Sequence, residues 1–220
     1  MLNASYRAFG QTRDSTFTEN YYASKMNQLV TSASNPTFVN TWYTAAWDDM
    51  SVLTGTVSTG ASIRPPSVVK YADNAAGSDG VWGYGFDEGK SQDLMVSTQM
   101  SHKYKVGSNL YPHIHLSVPT LEAANFIQFS LEYFFVSIGS PYNVTSTITT
   151  TSLACPNAKT HVVLPFPLPI SGVGLGISSI FYGRLTRNTI ANDYTGSVNV
   201  LSFDLHYMID SVGSHSEYVK

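Results

Sequence analysis

The chain has 220 residues, enough to bury roughly 70% of its unfolded surface in one substantial core. Charged residues make up only 12% of it, against a usual ~25%, and the net charge of −3 comes without any basic cluster, which excludes nucleic acid as a partner held through its phosphates. The single cysteine, Cys155, excludes an intramolecular disulfide, and no stretch of about 18 apolar residues marks a membrane span.

Residues 1–46 carry Tyr6, Phe9, Phe17, Tyr21, Tyr22, Phe38, Trp42 and Tyr43 among Ser, Thr and Asn, with no sustained period of 2 or 3.6. Large rings without a regular pattern suit a segment that docks on a partner, so this stretch reads as an N-terminal arm whose rings form the attachment and oligomer interface. The alternative is an irregular layer over the chain's own core, and residues 24–30 are a candidate short helix. No basic segment followed by an apolar run opens the chain, so synthesis in the cytoplasm without export is expected.

From Trp47 onward the signals are those of strands. Residues 51–57 predict the first, ended by Arg64-Pro65-Pro66 because proline cannot donate to a ladder. Residues 68–71 pair next, a turn-rich stretch covers 73–80, and 81–86 alternate ring and glycine, the mark of a strand with close backbone neighbours. Asp87-Glu88-Gly89-Lys90 turns the chain. Residues 94–100 place Leu94, Val96 and Met100 on one face, and Lys105-Val106-Gly107-Ser108 turns into the strand Tyr111-Pro112-His113-Ile114-His115-Leu116-Ser117-Val118, with Ile114, Leu116 and Val118 on one face.

Residues 125–136 alternate most clearly: Ile127, Phe129, Leu131, Tyr133 and Phe135 point one way, and Gln128, Ser130 and Glu132 the other. A Thr/Ser-rich strand follows at 142–153. Residues 161–164 form a short apolar strand that Pro165, Pro167 and Pro169 confine to an edge or an exit loop. Residues 177–187 and 197–209 complete the set, the last with Leu201, Phe203, Leu205, Tyr207 and Ile209 on one face and Ser202, Asp204 and His206 on the other. With no long amphipathic helix and about eight to ten short strands, the expectation is an all-β antiparallel sandwich or jelly roll over residues 47–220.

His113 and His115 share one face of their strand, since side chains two apart point the same way. Two adjacent imidazoles are the weak candidates for a metal, with a third ligand available from His161 or His206 on another strand. A carboxylate four or five residues after the second histidine is missing: Pro119 and Thr120 stand there, and the nearest acid is Glu122. The plainer reading is a hydrogen-bonded pair inside a sheet or at a subunit interface, so no metal, cofactor or catalytic residue is assigned.

The glycine run at 172–176 precedes a strand where a phosphate cradle needs a helix N-terminus. Asp48-Asp49 and Asp87-Glu88 are neighbours that face opposite ways, unlike a glycosidase pair across a cleft, and read as solvated turn carboxylates. Cys155 has only His161 near it in sequence as a base for thiolate chemistry. Arg184 and Arg187, near Asp193 and Asp204, read as polar-face pairs joining strands or subunits.

Taken in order, Trp47-Asp48-Asp49, Arg64-Pro65-Pro66, residues 102–108, Tyr111-Pro112-His113-Ile114-His115, Leu131-Glu132-Tyr133, Ile177-Ser178-Ser179-Ile180, Arg184-Leu185, residues 203–207, Gly213-Ser214 and residues 217–220 resemble a largely uncharacterised family of virion structural proteins of tailed bacteriophages and prophages. Leu116 departs from it, because an aromatic residue usually follows the second histidine there. The first 46 residues take no part. The resemblance implies a part of the virion without enzymatic activity: a capsid decoration or cement protein, trimeric by analogy with other decoration proteins, held on the major capsid protein or another virion protein through the arm. The alternative it implies is a collar, tail or head-fibre module that recognises host surface carbohydrate, with Trp82, Tyr84 and Tyr111 stacking on sugar rings.

Overall fold

The computed structural model describes residues 46–51, 53–55, 64–74, 79–214 and 216–218, all within the unit Thr44–Lys220 that follows a division of the chain after Tyr43. The arm rings Tyr6, Phe9, Phe17, Tyr21, Tyr22, Phe38, Trp42 and Tyr43 and the candidate helix at 24–30 lie outside the described residues.

Thirteen strands and no helix are present among the described residues. The first sheet runs in the order β11 (Val162–Pro165), β6 (Leu110–Ser117), β13 (Val198–Ile209), β4 (Gly80–Phe86) and β3 (Ser67–Asp73), with β1 (Ala46–Ser51) also paired to β13. The second runs β2 (Leu53–Gly55), β5 (Asp93–Gln99), β12 (Ile180–Arg187), β8 (Phe129–Val136) and β9 (Ser146–Thr149), and β10 (Leu153–Ala154) with β7 (Phe126–Ile127) makes a small ribbon.

Eight strands pair in nested order, β4 with β13, β5 with β12, β6 with β11 and β8 with β9. First meets last, and the chain changes sheet at every step except the β8–β9 hairpin. That is the jelly-roll path, and all pairings between named strands are antiparallel.

Alternation decides which residues enter the core. Leu94 and Val96 from β5, Leu131 from β8, and Phe181 and Leu185 from β12 meet Ile114 and Leu116 from β6 and Phe203 and Leu205 from β13 in one buried cluster. Rings bridge the two sheets: Phe181 stacks on Phe203 at 6.1 Å and Phe86 meets Phe129 edge-on at 5.3 Å. Fully burying each such side chain contributes about 1.5–3 kcal/mol, so the interlocked faces dominate the stability of the body.

Glycine in β4 lets another strand approach. A Cβ on Gly83 would overlap the ring of Tyr71, whose hydroxyl lies 2.8 Å from the Tyr84 carbonyl and 2.7 Å from that of Val200. Burial pushes this phenol up to about 12, with the Tyr84 hydrogen bond working in the opposite direction.

Several sequence expectations change. The first strand begins at Ala46 and is followed by the separate β2, so 51–57 is not one element. Residues 125–136 break at Gln128 into β7 and β8, which take different partners, and 142–153 divides into β9 and β10. In β13 the register with β6 shifts between Val200 and Ser202, the mark of a β-bulge; Leu201 is therefore 42% exposed, while Val200 and Phe203 turn inward.

Arg187 belongs to the interior and not to a polar face. Its Nη1 donates to the carbonyls of Phe86 and Gly196, both at 2.8 Å, and its Nη2 to Asp193 Oδ1 at 3.0 Å and to the Tyr194 carbonyl. The guanidinium thus ties the end of β12 to the end of β4 in the opposite sheet. Arg184, on the outer face, pairs with Glu132 and lies 3.3 Å from Asp93. Replacing Arg187 with alanine leaves Asp193 buried without its partner and is expected to cost about 3–5 kcal/mol in urea unfolding. Arg184→Ala also deprives a buried carboxylate, Asp93, but Thr186 still donates to it, so a smaller loss of about 1–3 kcal/mol is expected. Equal losses in the two variants would contradict the clamp.

Candidate functional site

Three strands side by side, β1, β13 and β6, assemble a cluster of histidines, carboxylates and aromatic rings. Their core faces carry Met50, Leu205, Tyr207, Ile114 and Leu116. Alternation then sends Trp47 and Asp49, Asp204 and His206, and Tyr111, His113 and His115 to the opposite, outer face. Cross-strand register sets the neighbours: Asp49 opposes His206, His206 opposes Tyr111, and Asp204 opposes His113.

The geometry is close. His113 Nε2 lies 3.1 Å from His115 Nε2, and Asp204 Oδ2 is 2.9 Å from the second of these and 3.8 Å from the first. His115 Nδ1 meets His161 Nε2 at 2.6 Å from the residue just before the edge strand β11. His206 pairs with Asp49, and its ring lies 4.3 Å from that of His113. Trp47, 53% exposed, meets Tyr111, 41% exposed, edge-on at 5.3 Å, so two rings border the histidine cluster.

Asp204 is the outlier. It is only 8% exposed, accepts a hydrogen bond from Ser202 at 3.2 Å through Oδ2, and its Oδ1 has no hydrogen-bond partner among the described residues. Burial pushes the His115 imidazole below the ordinary histidine value; Asp204 pulls it upward, and His113 and His161 add to the lowering. Two sets of three ligand atoms are close enough to share an ion: His113, His115 and Asp204, and Asp49, His113 and His206.

Both histidines named as third-ligand candidates, His161 and His206, reach the His113/His115 pair. Sequence reasoning missed the carboxylates: Asp204 partners histidines and not an arginine, and Asp49 partners His206 and is not a free turn carboxylate. The Trp82, Tyr84 and Tyr111 trio does not form one platform, since Tyr84 packs against the core while Tyr111 lies on the outer face. Cys155 is buried, its Sγ accepting from the Glu122 amide at 3.3 Å, while His161 is engaged with His115. The glycine run ends in a turn before β12, and no helix N-terminus faces it.

On the outer face of the other sheet, Phe134 and Tyr182 stack at 5.3 Å and Tyr142 meets Phe134 edge-on at 5.7 Å. They border an open groove of about 380 Å³ formed by residues 136–142 with Ser178, Ile180 and Tyr182.

No family model and no curated protein sequence matches the chain. Among solved structures it is similar to the CBM22-1–GH10 modules of Clostridium thermocellum endo-1,4-β-D-xylanase 10B complexed with xylohexaose, at 12% identity and a TM-score of 0.31, over 77% of this chain and 27% of that one. It is also similar to TmCBM61 in complex with β-1,4-galactotriose, at 8% identity and a TM-score of 0.29, over 76% of this chain and 90% of that one. The chain spans about a quarter of the first structure's length. The reading of the site rests on this chain's own residues.

Asp87, taken from sequence as a solvated turn acid, is held in place by Ser67 and Ser197, both at 2.6 Å, and by Lys90 at 2.8 Å. Burial alone would raise its carboxyl, but these hydrogen bonds and the Lys90 charge outweigh it and hold the group down to about 2. A folded value below the unfolded one means that the stabilisation is complete above the ordinary aspartate value of about 3.9 and fades as pH falls toward 2. The stability gap between the unaltered chain and Asp87→Asn in urea titrations is therefore expected at pH 7 and should narrow between about pH 4 and 2. A gap of constant size would contradict it.

Proposed function

We propose that this chain is a non-catalytic structural component of a tailed-phage particle, a capsid decoration or cement protein held through residues 1–46. One observation carries the reading beyond the sequence resemblance. Trp47-Asp48-Asp49, Tyr111-Pro112-His113-Ile114-His115 and Phe203-Asp204-Leu205-His206-Tyr207, far apart in the chain, lie on adjacent strands, and their alternate residues Trp47, Asp49, Tyr111, His113, His115, Asp204 and His206 share one outer face.

An open face with exposed rings suits contact with a neighbouring surface. The arm adds rings of the kind that anchor one protein on another. The charge-poor composition fits a part covered by neighbours, where charged residues are depleted.

Purified particles should contain hundreds of copies of the chain by quantitative mass spectrometry; a few tens or fewer would move it to the collar or tail. In the full chain, joint replacement of Phe9, Tyr22 and Trp42 by alanine should abolish particle binding, because each docked ring contributes about 1.5–3 kcal/mol. Unchanged binding would refute the arm's role.

The groove beside Tyr142 and Tyr182 favours a second reading, a module that recognises host surface carbohydrate. Tyr142 and Tyr182 offer flat apolar faces for sugars in a largely apolar groove, where Ser137, Ser140 and Ser178 supply hydroxyls to hydrogen-bond them. In that case Tyr142→Ala or Tyr182→Ala should weaken glycan-array binding by about tenfold, a loss of ~1.4 kcal/mol. An array with no signal for the unaltered chain would remove this reading.

A further inference from the structure

We propose that His113, His115 and Asp204 form a binding site for one first-row divalent cation, zinc above all, on the outer face of the β6–β13 pair. The inference goes beyond the particle role and is independent of it.

Distance is the first argument. The three ligand atoms are separated by 2.9, 3.1 and 3.8 Å. Their mean of about 3.3 Å matches the ~3.3–3.4 Å edge of a tetrahedron built on metal–ligand bonds of ~2.0–2.1 Å. A cation at their centre needs little movement of any of them.

Proton counting is the second. A neutral imidazole has one N–H for two nitrogens. With both rings neutral, the 3.1 Å contact between His113 Nε2 and His115 Nε2 is bridged by one proton, and the ionised Asp204 brings none. Those three atoms are all lone-pair donors, and a divalent cation satisfies them together where a proton serves them in part.

Third, the buried carboxylate has no strong cation beside it. No Lys or Arg ion pair reaches Asp204 among the described residues, and its Oδ1 has no hydrogen-bond partner there. Burying a carboxylate without compensation is costly, so this side chain is placed as a ligand is placed.

The surroundings complete the set. His115 Nδ1 is held by His161 Nε2 at 2.6 Å, and His113 Nδ1 lies 3.5 Å from its own strand's Tyr111 carbonyl, so the second nitrogen of each ring is turned toward a partner, as ligating histidines are. Imidazole with one carboxylate suits zinc and its first-row neighbours and disfavours magnesium and calcium, which take oxygen sets. The alternative set shares His113 but relies on Asp49 and His206, which are half-exposed and already paired with each other.

The test uses the tag-free full chain, stripped with chelator and titrated with zinc chloride by calorimetry. One saturable site per chain is expected, and the cobalt-loaded protein should show the visible d–d band of a four- or five-coordinate ion. Asp204→Asn, which keeps the side chain's shape, and the His113→Ala/His115→Ala double variant should lose the site, while His161→Gln, a positioning change, should weaken it by about 10–100-fold. His102→Ala, whose ring contacts Ser214 and Ser178 elsewhere, should leave it intact.

The proposal is overturned by no saturation up to about 100 µM zinc, a binding free energy no stronger than roughly −5.5 kcal/mol. It is equally overturned if folded Asp204→Asn or the folded double variant binds like the unaltered chain. Should a variant fail to fold by circular dichroism, the cobalt spectrum of the unaltered chain decides: its absence rejects the site.

Discussion

The two sheets are held to one register by the core between them, and the arrangement of the outer faces follows from that. Side chains alternate, so burying Ile114 and Leu116 from β6 against Phe203 and Leu205 from β13 leaves no choice about where His113, His115, Asp204 and His206 go. A slip of one residue would exchange Phe203 for Asp204 in the interior and expel Ile114. The apolar cost of that slip is far larger than any interaction among the polar groups outside. The histidine cluster is therefore positioned by hydrophobic burial on the other side of the sheet, which explains how imidazoles and a poorly compensated carboxylate can be held so close together.

One local irregularity adjusts this register. Through Val200 the pairing of β13 with β6 follows one count; from Ser202 it follows another, with Leu201 as the additional residue. Continued without the bulge, the earlier register would set Phe203 opposite His113; with it, Asp204 stands there. Tyr71, at the position where β3 has its own irregularity against β4, reaches the Val200 carbonyl with its hydroxyl and so supports the displaced backbone. Bulges recur where a strand must re-aim a side chain, and here it is the carboxylate that is re-aimed.

Much of the roll was legible because its strands follow a period of two: 81–86, 94–100, 110–117 and 129–136 each show their core face in sequence. β11 lies at the sheet edge, one of the two placements its prolines allowed. The break at Gln128 was hidden because Ile127 and Phe129 keep the same alternation on both sides, and only the separate partners β10 and β12 divide the run. The bulge was hidden for a related reason: Leu201 continues the apolar pattern of Phe203 and Leu205, and hydrophobicity alone cannot show that it points outward. The site had one readable sign. His113-Ile114-His115 and Asp204-Leu205-His206 are the same device, two ligand-type residues flanking a core residue, and two such triplets on strands of equal patterning are good candidates for neighbours. Arg187 gave no such sign, since nothing in sequence distinguishes a buried arginine whose partners are carbonyl oxygens from an exposed one.

The two groups of exposed rings lie on outer faces of opposite sheets. Trp47 and Tyr111 stand outside the first sheet, Phe134 and Tyr182 outside the second, with the whole core between them. Such cores are packed as tightly as organic crystals and yield little to compression, so the two ring groups are held at a fixed separation. Trp47 and Tyr111 therefore cannot converge with Phe134 and Tyr182 on one site, and each ring group has to be read with its own sheet. With charged residues at only 12% of the chain, few like charges guard either ring group against self-association.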